Sequence, residues 1–239
     1  MGRKIFATIL GMAFLESISA VAAPKVVTLS MIWNVVIGTD GRISELSTKE
    51  QGLSDIRERI ENEMRTWQFT PGERDGKLVP ITSKLYLKFT LMPRGDKPAI
   101  RILSASTGGG YRTMVPVTYP RASLINGKQG LVLLRVGYDV DGKVEDLAPV
   151  PDAPEVDARL VEAALTAVRQ WTFEPEIVGG HPISGAAFVP VCFGLNIPDG
   201  IRPNCSWRPP DSNVEQPGDH PMTIHPAAKL KNEVTGRTL

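Results

Sequence analysis

The pentapeptide Trp67-Gln68-Phe69-Thr70-Pro71 returns 104 positions later as Trp171-Thr172-Phe173-Glu174-Pro175. At the same offset Gly76 falls on Gly180, Val79 on Ile183, Phe89 on Phe193 and Leu91 on Leu195, so the match extends well beyond the aromatic pair. Upstream, Asp40-Gly41-Arg42-Ile43 aligns with Asp141-Gly142-Lys143-Val144 at an offset of 101, which places three extra residues between turn and helix in the second copy. Insertions of that size are tolerated in loops. A fixed internal period is the signature of a duplicated structural unit and sets the fold before any local reading does.

Each copy reads as the same series of elements. Val27, Leu29, Met31, Trp33, Val35 and Ile37 alternate with a mixed face, as do Val132, Leu134, Val136, Tyr138 and Val140, which is the period of a half-buried strand. Asp-Gly then supplies the left-handed backbone of a tight hairpin, and a short return strand runs through Ile43 and Leu46, or Val144 and Leu147. The period changes to helical at Ile56, Ile60, Met64 and Trp67, and at Leu160, Ala164, Val168 and Trp171. Pro71 and Pro175 cannot continue the helix. Alternation resumes at Leu85, Leu87, Phe89 and Leu91, and at Val189, Val191, Phe193 and Leu195. The order strand, turn, strand, helix, strand predicts an α+β fold, with two small antiparallel sheets that each carry one helix on one face.

The rest of the chain is read by composition. Arg3 and Lys4 precede an apolar run over residues 5–15, and Ala20-Val21-Ala22-Ala23 follows, which predicts a cleavable export signal over residues 1–23. The rival is an uncleaved anchor over residues 5–27, which would hold Glu16 near mid-membrane at a cost of about 2.5–3.5 kcal/mol. Cleavage removes two cations and one anion and takes the formal charge from +1 to zero, so no nucleic acid or other polyanion is implied as a partner. Twenty Pro and 22 Gly exceed what two compact units need and concentrate outside them. The expected organisation is a first unit over 24–92, a linker over 93–118, a second unit over 119–196 and a Pro-rich extended tail over 197–239. Units of that size are marginal alone, so mutual packing or a cross-link has to support them.

Chemistry-bearing motifs are few. Gly108-Gly109-Gly110 lacks the remainder of any phosphate-loop pattern and reads as linker. His181 sits in a Gly-rich turn, and His220 and His225 stand beside prolines, so no metal site and no cofactor are expected. Asp152, Glu155 and Asp157 precede the second helix, where they complement its dipole rather than form an acid–base pair. No nucleophile motif is present, and no enzyme activity is expected. The cysteines carry more information. With Val189, Val191 and Phe193 facing the core, Cys192 projects to the opposite face, and Cys205 follows 13 positions later. In an oxidising compartment a Cys192–Cys205 disulfide would staple the tail to the last strand; the alternative is two free thiols.

Several pieces of the second unit, taken in order, resemble the C-terminal domain of the TonB energy transducers. They are Tyr119-Pro120-Arg121-Ala122, the Asp141-Gly142 turn, the helix around Ala163-Ala164-Leu165, Trp171-Thr172-Phe173-Glu174-Pro175, Gly180-His181-Pro182-Ile183 and Pro190-Val191-Cys192-Phe193. Tyr119, Pro120, Asp141, Gly142, Trp171, Phe173, Pro175 and Gly180 then rank as structural motif residues. The first unit keeps Asp40-Gly41, the Trp67 motif and Gly76 but has no Tyr-Pro start, and resembles a degenerate copy.

The resemblance implies a periplasmic protein whose partner is a TonB-dependent outer-membrane receptor, bound through a short extended segment that adds to the free edge of the last strand. The residues expected there are Phe188, Val189, Pro190, Val191, Cys192 and Phe193. Pro190 has no N–H to offer a neighbour, which suits an edge strand, although it also removes one donor and a Cys205 staple could cover the strand. Outward side chains such as Phe188 and Cys192 would tune specificity. Two other functions compete with this one. One is a transducer proper, held in the inner membrane by residues 5–27. The other is a structural envelope protein whose units pair with each other, giving a homodimer.

Overall fold

The computed structural model describes residues 26–151, 153, 155–195, 205–209, 216 and 220–239, so the expected leader lies outside the described residues. The elements are β1 (Val27–Ile37), β2 (Ile43–Ser47), α1 (Ser54–Met64), β3 (Gly72–Arg74), β4 (Lys77–Val79), β5 (Ile81–Met92), β6 (Ala99–Gly108) and β7 (Gly110–Thr113), followed by α2 (Arg121–Ile125), β8 (Gly130–Tyr138), β9 (Val144–Pro149), α3 (Ala158–Val168), β10 (Thr172–Glu174), β11 (Ile177–Val178), β12 (His181–Pro182), β13 (Gly185–Phe193) and β14 (Met222–Thr223). The fold is α+β, mostly antiparallel sheet with few helices.

In the first sheet β1 lies between β2 and β5, and the far side of β5 carries β11 at its start and β6 along the rest. The second sheet has the order β14-β13-β8-β9. Apolar alternation on the strands and the helical stripe each supply one face of a core. Ile56, Ile60 and Met64 of α1 meet Trp33, Val35, Leu85, Leu87 and Phe89, and Leu160, Ala164 and Val168 of α3 meet Leu134, Val136, Val189 and Val191. The Asp157 carboxylate caps α3 by accepting the Arg159 N–H at 3.1 Å. Both helices stop three residues before the tryptophan, and the Trp67 and Trp171 N–H groups bond back to Met64 and Val168, each at 3.0 Å. Val140 is not part of the strand but sits in the turn, 49% exposed.

The two halves share fine detail as well as element order. Gly41 N–H bonds Gly38 O and Gly142 N–H bonds Asp139 O, each at 2.9 Å, and Phe69 and Phe173 donate to Gly41 O and Gly142 O, each at 2.8 Å. Both first strands bulge at matching positions, between Val36 and Ile37 and between Gly137 and Tyr138. Val35 faces Leu46 and Ser83, and Val136 faces Leu147 and Ala187, the same positions shifted by the sequence offsets of 101 and 104. Register is set by which face is apolar, so identical register follows from the repeated pattern.

Two expectations need correction. Residues 93–118, read as a linker from their Pro and Gly, contain β6 and β7. β6 adds a full strand to β5 with Ile100 and Ile102 in the first core, and β7 pairs with β10 through Tyr111 and Phe173. The glycines that suggested flexibility serve close approach instead: a side chain on Gly108 would collide with Thr223, and one on Gly109 with the Tyr138 hydroxyl. The described part of the tail is likewise packed. Ala228 and Val234 are buried in the first core, and Ile100 exchanges backbone hydrogen bonds with Leu239 at 2.8 and 3.2 Å. Its irregular backbone, paired as isolated bridges such as Phe69 with Leu230, leaves no hydrophobic period to read.

Candidate functional site

The last strand of the second sheet has its side chains sorted by the pleat. Ala187, Val189, Val191 and Phe193 enter the helix-covered core, while Phe188, Pro190 and Cys192 stand on the other face opposite Arg135, Leu133 and Leu131 of β8. That outer face is also covered. Trp207 packs with Leu131 and Leu133, and its ring meets Phe188 edge-on with centroids 5.6 Å apart. A disulfide joins Cys192 to Cys205, two positions before Trp207, with the Cα atoms 5.7 Å apart.

Backbone polarity identifies what the strand offers at its edge. The Ile224 N–H donates to Ala186 O at 2.8 Å, on the side of β13 away from β8. Backbone groups of alternate residues face alternate edges, so residues 188, 190 and 192 point the same way as Ala186. β14 pairs with Ala187 and Phe188 and then stops. From residue 189 to 193 no strand among the described residues pairs with this edge, which offers the Pro190 carbonyl and the Cys192 N–H and carbonyl. Proline removes the remaining donor. Of the six residues expected at the edge, Phe188 is therefore already engaged by β14 and Trp207, Val189, Val191 and Phe193 are buried core, Pro190 is buried on the outer face opposite Leu133, and Cys192 is the exposed one.

The motif residues support this strand from behind. The Tyr119 ring meets Phe193 edge-on at 5.4 Å, its hydroxyl donates to Lys128 O, and Pro120 is the N-cap of α2. Trp171 donates its indole N–H to Val115 O at 2.8 Å, and Phe173 stacks flat on Tyr138 at 4.9 Å. The Asp141 carbonyl accepts from Arg112 at 2.7 Å. Gly142 has φ of 85°, and a Cβ there would come closer than 3.0 Å to Phe173 O. Pro175 is buried just before β11, and Gly180, φ 82°, makes the β11–β12 turn. Apart from Tyr119, these residues hold the scaffold and do not touch the edge.

The near end of the open edge is fixed by a polar seam between the two sheets. The buried Glu176 carboxylate accepts the Ser83 hydroxyl at 2.7 Å and the Ala227 N–H at 2.8 Å, and so joins β5, the segment after β10 and the C-terminal segment. Burial raises its pKa, against the lowering effect of those hydrogen bonds. The Tyr138 hydroxyl is pushed up to about 12 by burial and by the Glu176 charge. Lys84 pairs with Glu174 at 2.9 Å, and the Gly109 N–H donates to Thr223 Oγ1 at 3.0 Å. Sequence reasoning missed Glu176, Trp207 and β14. A lone Glu after Pro175 and a two-residue strand carry no period, whereas β6 left a legible one in Ala99-Ile100-Arg101-Ile102.

Among the described residues no group of three or more His, Cys, Asp or Glu could hold a metal ion, and no helix is long and apolar enough to cross a membrane. Residues 115–195 match the family of the Gram-negative bacterial TonB protein C-terminal. Two proteins, each named Protein TonB, from Xanthomonas campestris pv. campestris strains B100 and ATCC 33913, are each 35% identical to this chain over 94 residues, covering 39% of it and 41% of the relative. The chain thus spans well under half the length of these curated relatives. The matched stretch contains all of β8 through β13, so the open edge belongs to a TonB C-terminal-like region.

Proposed function

We propose that this chain is an exported, non-enzymatic binding protein of the periplasm, built from two tandem TonB-C-terminal-like units, that captures a segment of an outer-membrane receptor by strand addition at residues 189–193. The observation that carries the reading is the edge of β13. It is flanked by β14, backed by a packed and disulfide-stapled face, lies within the TonB-like stretch, and has backbone groups on its outer side from Pro190 to Cys192 that pair with no described strand. Main-chain pairing supplies affinity and neighbouring side chains select the ligand. The recurrence of turn, bulge, register and tryptophan contacts supports residues 24–92 as a degenerate second copy.

The test is a titration of the mature protein with synthetic peptides that copy the N-terminal plug segments of outer-membrane receptors. Saturable binding with amide shifts at residues 189–193 is expected. A stable homodimer with no saturable binding would refute the reading in favour of a structural envelope role. The apolar residues 5–15 keep one second reading in view, an inner-membrane-anchored energy transducer. Fractionation with N-terminal sequencing separates the two. A start near Ala23 or Pro24 in the soluble periplasmic fraction supports export, and an intact Met1 in the membrane fraction supports the anchor.

A further inference from the structure

The two halves share register, so their outer sheet faces, turned away from the helices, can be compared residue by residue. On the first sheet Asn34 lies opposite Lys84 and Ile32 opposite Tyr86. Offsets of 101 on the first strand and 104 on the last turn these pairs into Arg135 with Phe188 and Leu133 with Pro190, which are partners across β8 and β13. The same four places are used differently. In the second half they carry a mostly apolar face, closed by the buried Trp207 side chain and the disulfide beside it. In the first half they place an amide, an ammonium and a phenol ring along a cleft of about 620 Å³, a size within the range of small-molecule sites. β7, β10 and the residues just before β14 form its other walls, with Tyr111, Glu174 and His220.

We infer that this cleft is a binding site for a small aromatic carboxylate. Lys84 supplies the cation. Its side chain is only 19% exposed, and its stem passes over Gly110, where any side chain would collide with Lys84 Cδ and Cε. The ammonium donates to Asn34 Oδ1 at 3.0 Å and pairs with Glu174 at 2.9 Å. Withdrawing a charge from water is costly unless it is matched, and this carboxylate partner is itself 51% exposed, so an incoming anion can displace it into solvent. With Asn34 Oδ1 already accepting, its Nδ2 remains a donor beside the ammonium, a pair that suits the two oxygens of a carboxylate. Lys49, Lys84 and Arg112 face Glu50 and Glu174 around the cleft, a surplus of one cation, which matches a monoanion better than a phosphate or a neutral ligand. The remaining lining suits rings. Tyr86 meets the His220 ring with centroids 5.6 Å apart, and Tyr111 is braced edge-on by Trp171 at 5.4 Å, so the cleft has fixed aromatic walls for stacking.

This site is separate from the β13 edge, and its test does not depend on strand addition. The full mature chain is titrated with benzoate and with naphthoate and followed by amide chemical shifts. Naphthamide, which keeps the rings without the charge, and acetate, which keeps the charge without the rings, are titrated alongside. Saturable shifts at Asn34, Lys84 and Tyr86 are expected, with both controls weaker than naphthoate by about tenfold or more. Lys84→Met keeps the stem and removes the ammonium, and should weaken naphthoate binding by about tenfold or more. Glu174→Gln frees the ammonium from its competing carboxylate and should tighten binding by about threefold, the reverse of what loss of a merely structural ion pair would give. If Lys84→Met does not fold, the Glu174→Gln variant and the two control ligands decide the matter. Absence of saturable shifts with both acids, naphthamide binding as tightly as naphthoate, unchanged binding in folded Lys84→Met, or failure of Glu174→Gln to tighten binding would each overturn the inference.

Discussion

Gly142→Ala should destabilise this protein by about 2 kcal/mol, while Gly180→Ala should cost about half that or less. Both glycines have left-handed backbones, with φ of 85° and 82°, which cost an L-residue roughly 1–2 kcal/mol. Alanine also lowers the entropy of the unfolded chain, which returns about 0.4–1 kcal/mol in both cases. The difference lies in surroundings. Nothing lies within 4 Å of a Cβ on Gly180, whereas one on Gly142 falls closer than 3.0 Å to Phe173 O. Relieving that overlap pulls the turn away from Phe173, whose N–H donates to Gly142 O at 2.8 Å, and losing this bond adds about 0.5–1.5 kcal/mol. The first half contains the same contrast: Gly41, φ 75°, abuts Phe69 O, and Gly76, φ 73°, has open space. Equilibrium urea unfolding followed by tryptophan fluorescence gives the four values, with unchanged slopes expected for changes in stability alone. If Gly142→Ala proves no worse than Gly180→Ala, close approach of the hairpin turn to the strand after the helix is not what demands glycine. The duplicated hydrogen bond would then lose its energetic meaning.

Other expectations are more direct. Thiol labelling of unfolded, unreduced protein should find neither Cys192 nor Cys205 free, and replacing both by serine should lower stability by up to about 3 kcal/mol, the loop-closure value for a cross-link of this span. Two labelled thiols per chain would rule the bridge out. Val234→Ala, which removes two methyl groups' worth of buried side chain from the first core, should cost about 1.5 kcal/mol in the same urea assay; no loss would mean the C-terminal segment is not part of that core in solution. Glu176, whose pKa is raised by burial above its ordinary 4.5, holds more protons in the folded than in the unfolded chain. The linkage therefore gives greatest relative stability below that value, with loss as the pH rises through the folded pKa. Urea midpoints measured against pH should show this decline in the wild type and a flatter curve in Glu176→Gln; parallel curves would contradict it.

Both helices, the hairpins at Gly41 and Gly142 and the buried faces of β1, β5, β8 and β13 were legible because each rests on a short-range rule. Alternation selects a face, Asp-Gly selects a turn, and a spacing of three or four selects a helix. Cys192 and Cys205 were legible for the same reason, since parity along β13 decides which way a side chain points. What escaped was decided by long-range closure. Gly108-Gly109-Gly110 has the composition of a flexible joint, yet Thr223, more than 100 positions away, needs that vacancy to reach the backbone. Residues 227–239 show no period because their pairing is by single bridges and terminal hydrogen bonds to β6. The candidate edge was half legible. Pro190 announced an edge, but nothing local in Ile100 or Met222 says which of the two equivalent edges the chain fills itself.

The bonds between β6 and residues 236–239 also impose an order on biogenesis. The first core draws on Ala228 and Val234, and Ile100 and Ile102 find their outer backbone partners only in Gly236, Arg237 and Leu239, some 135 positions downstream. A chain that emerges from its amino end, at the ribosome or through a translocation pore, carries β1, α1, β5 and β6 into solvent long before the segment that completes them. In the second sheet β8, β9, α3 and β13 arrive within about 65 residues of one another, with only the two-residue β14 to follow, so its main elements are together first. Contacts of long sequence separation close slowly, and the unfinished partner strand is exposed in the interval. The half that emerges first is thus the half that is finished last, and a holdase that shields β6 until residues 227–239 are out would raise the yield of folded protein.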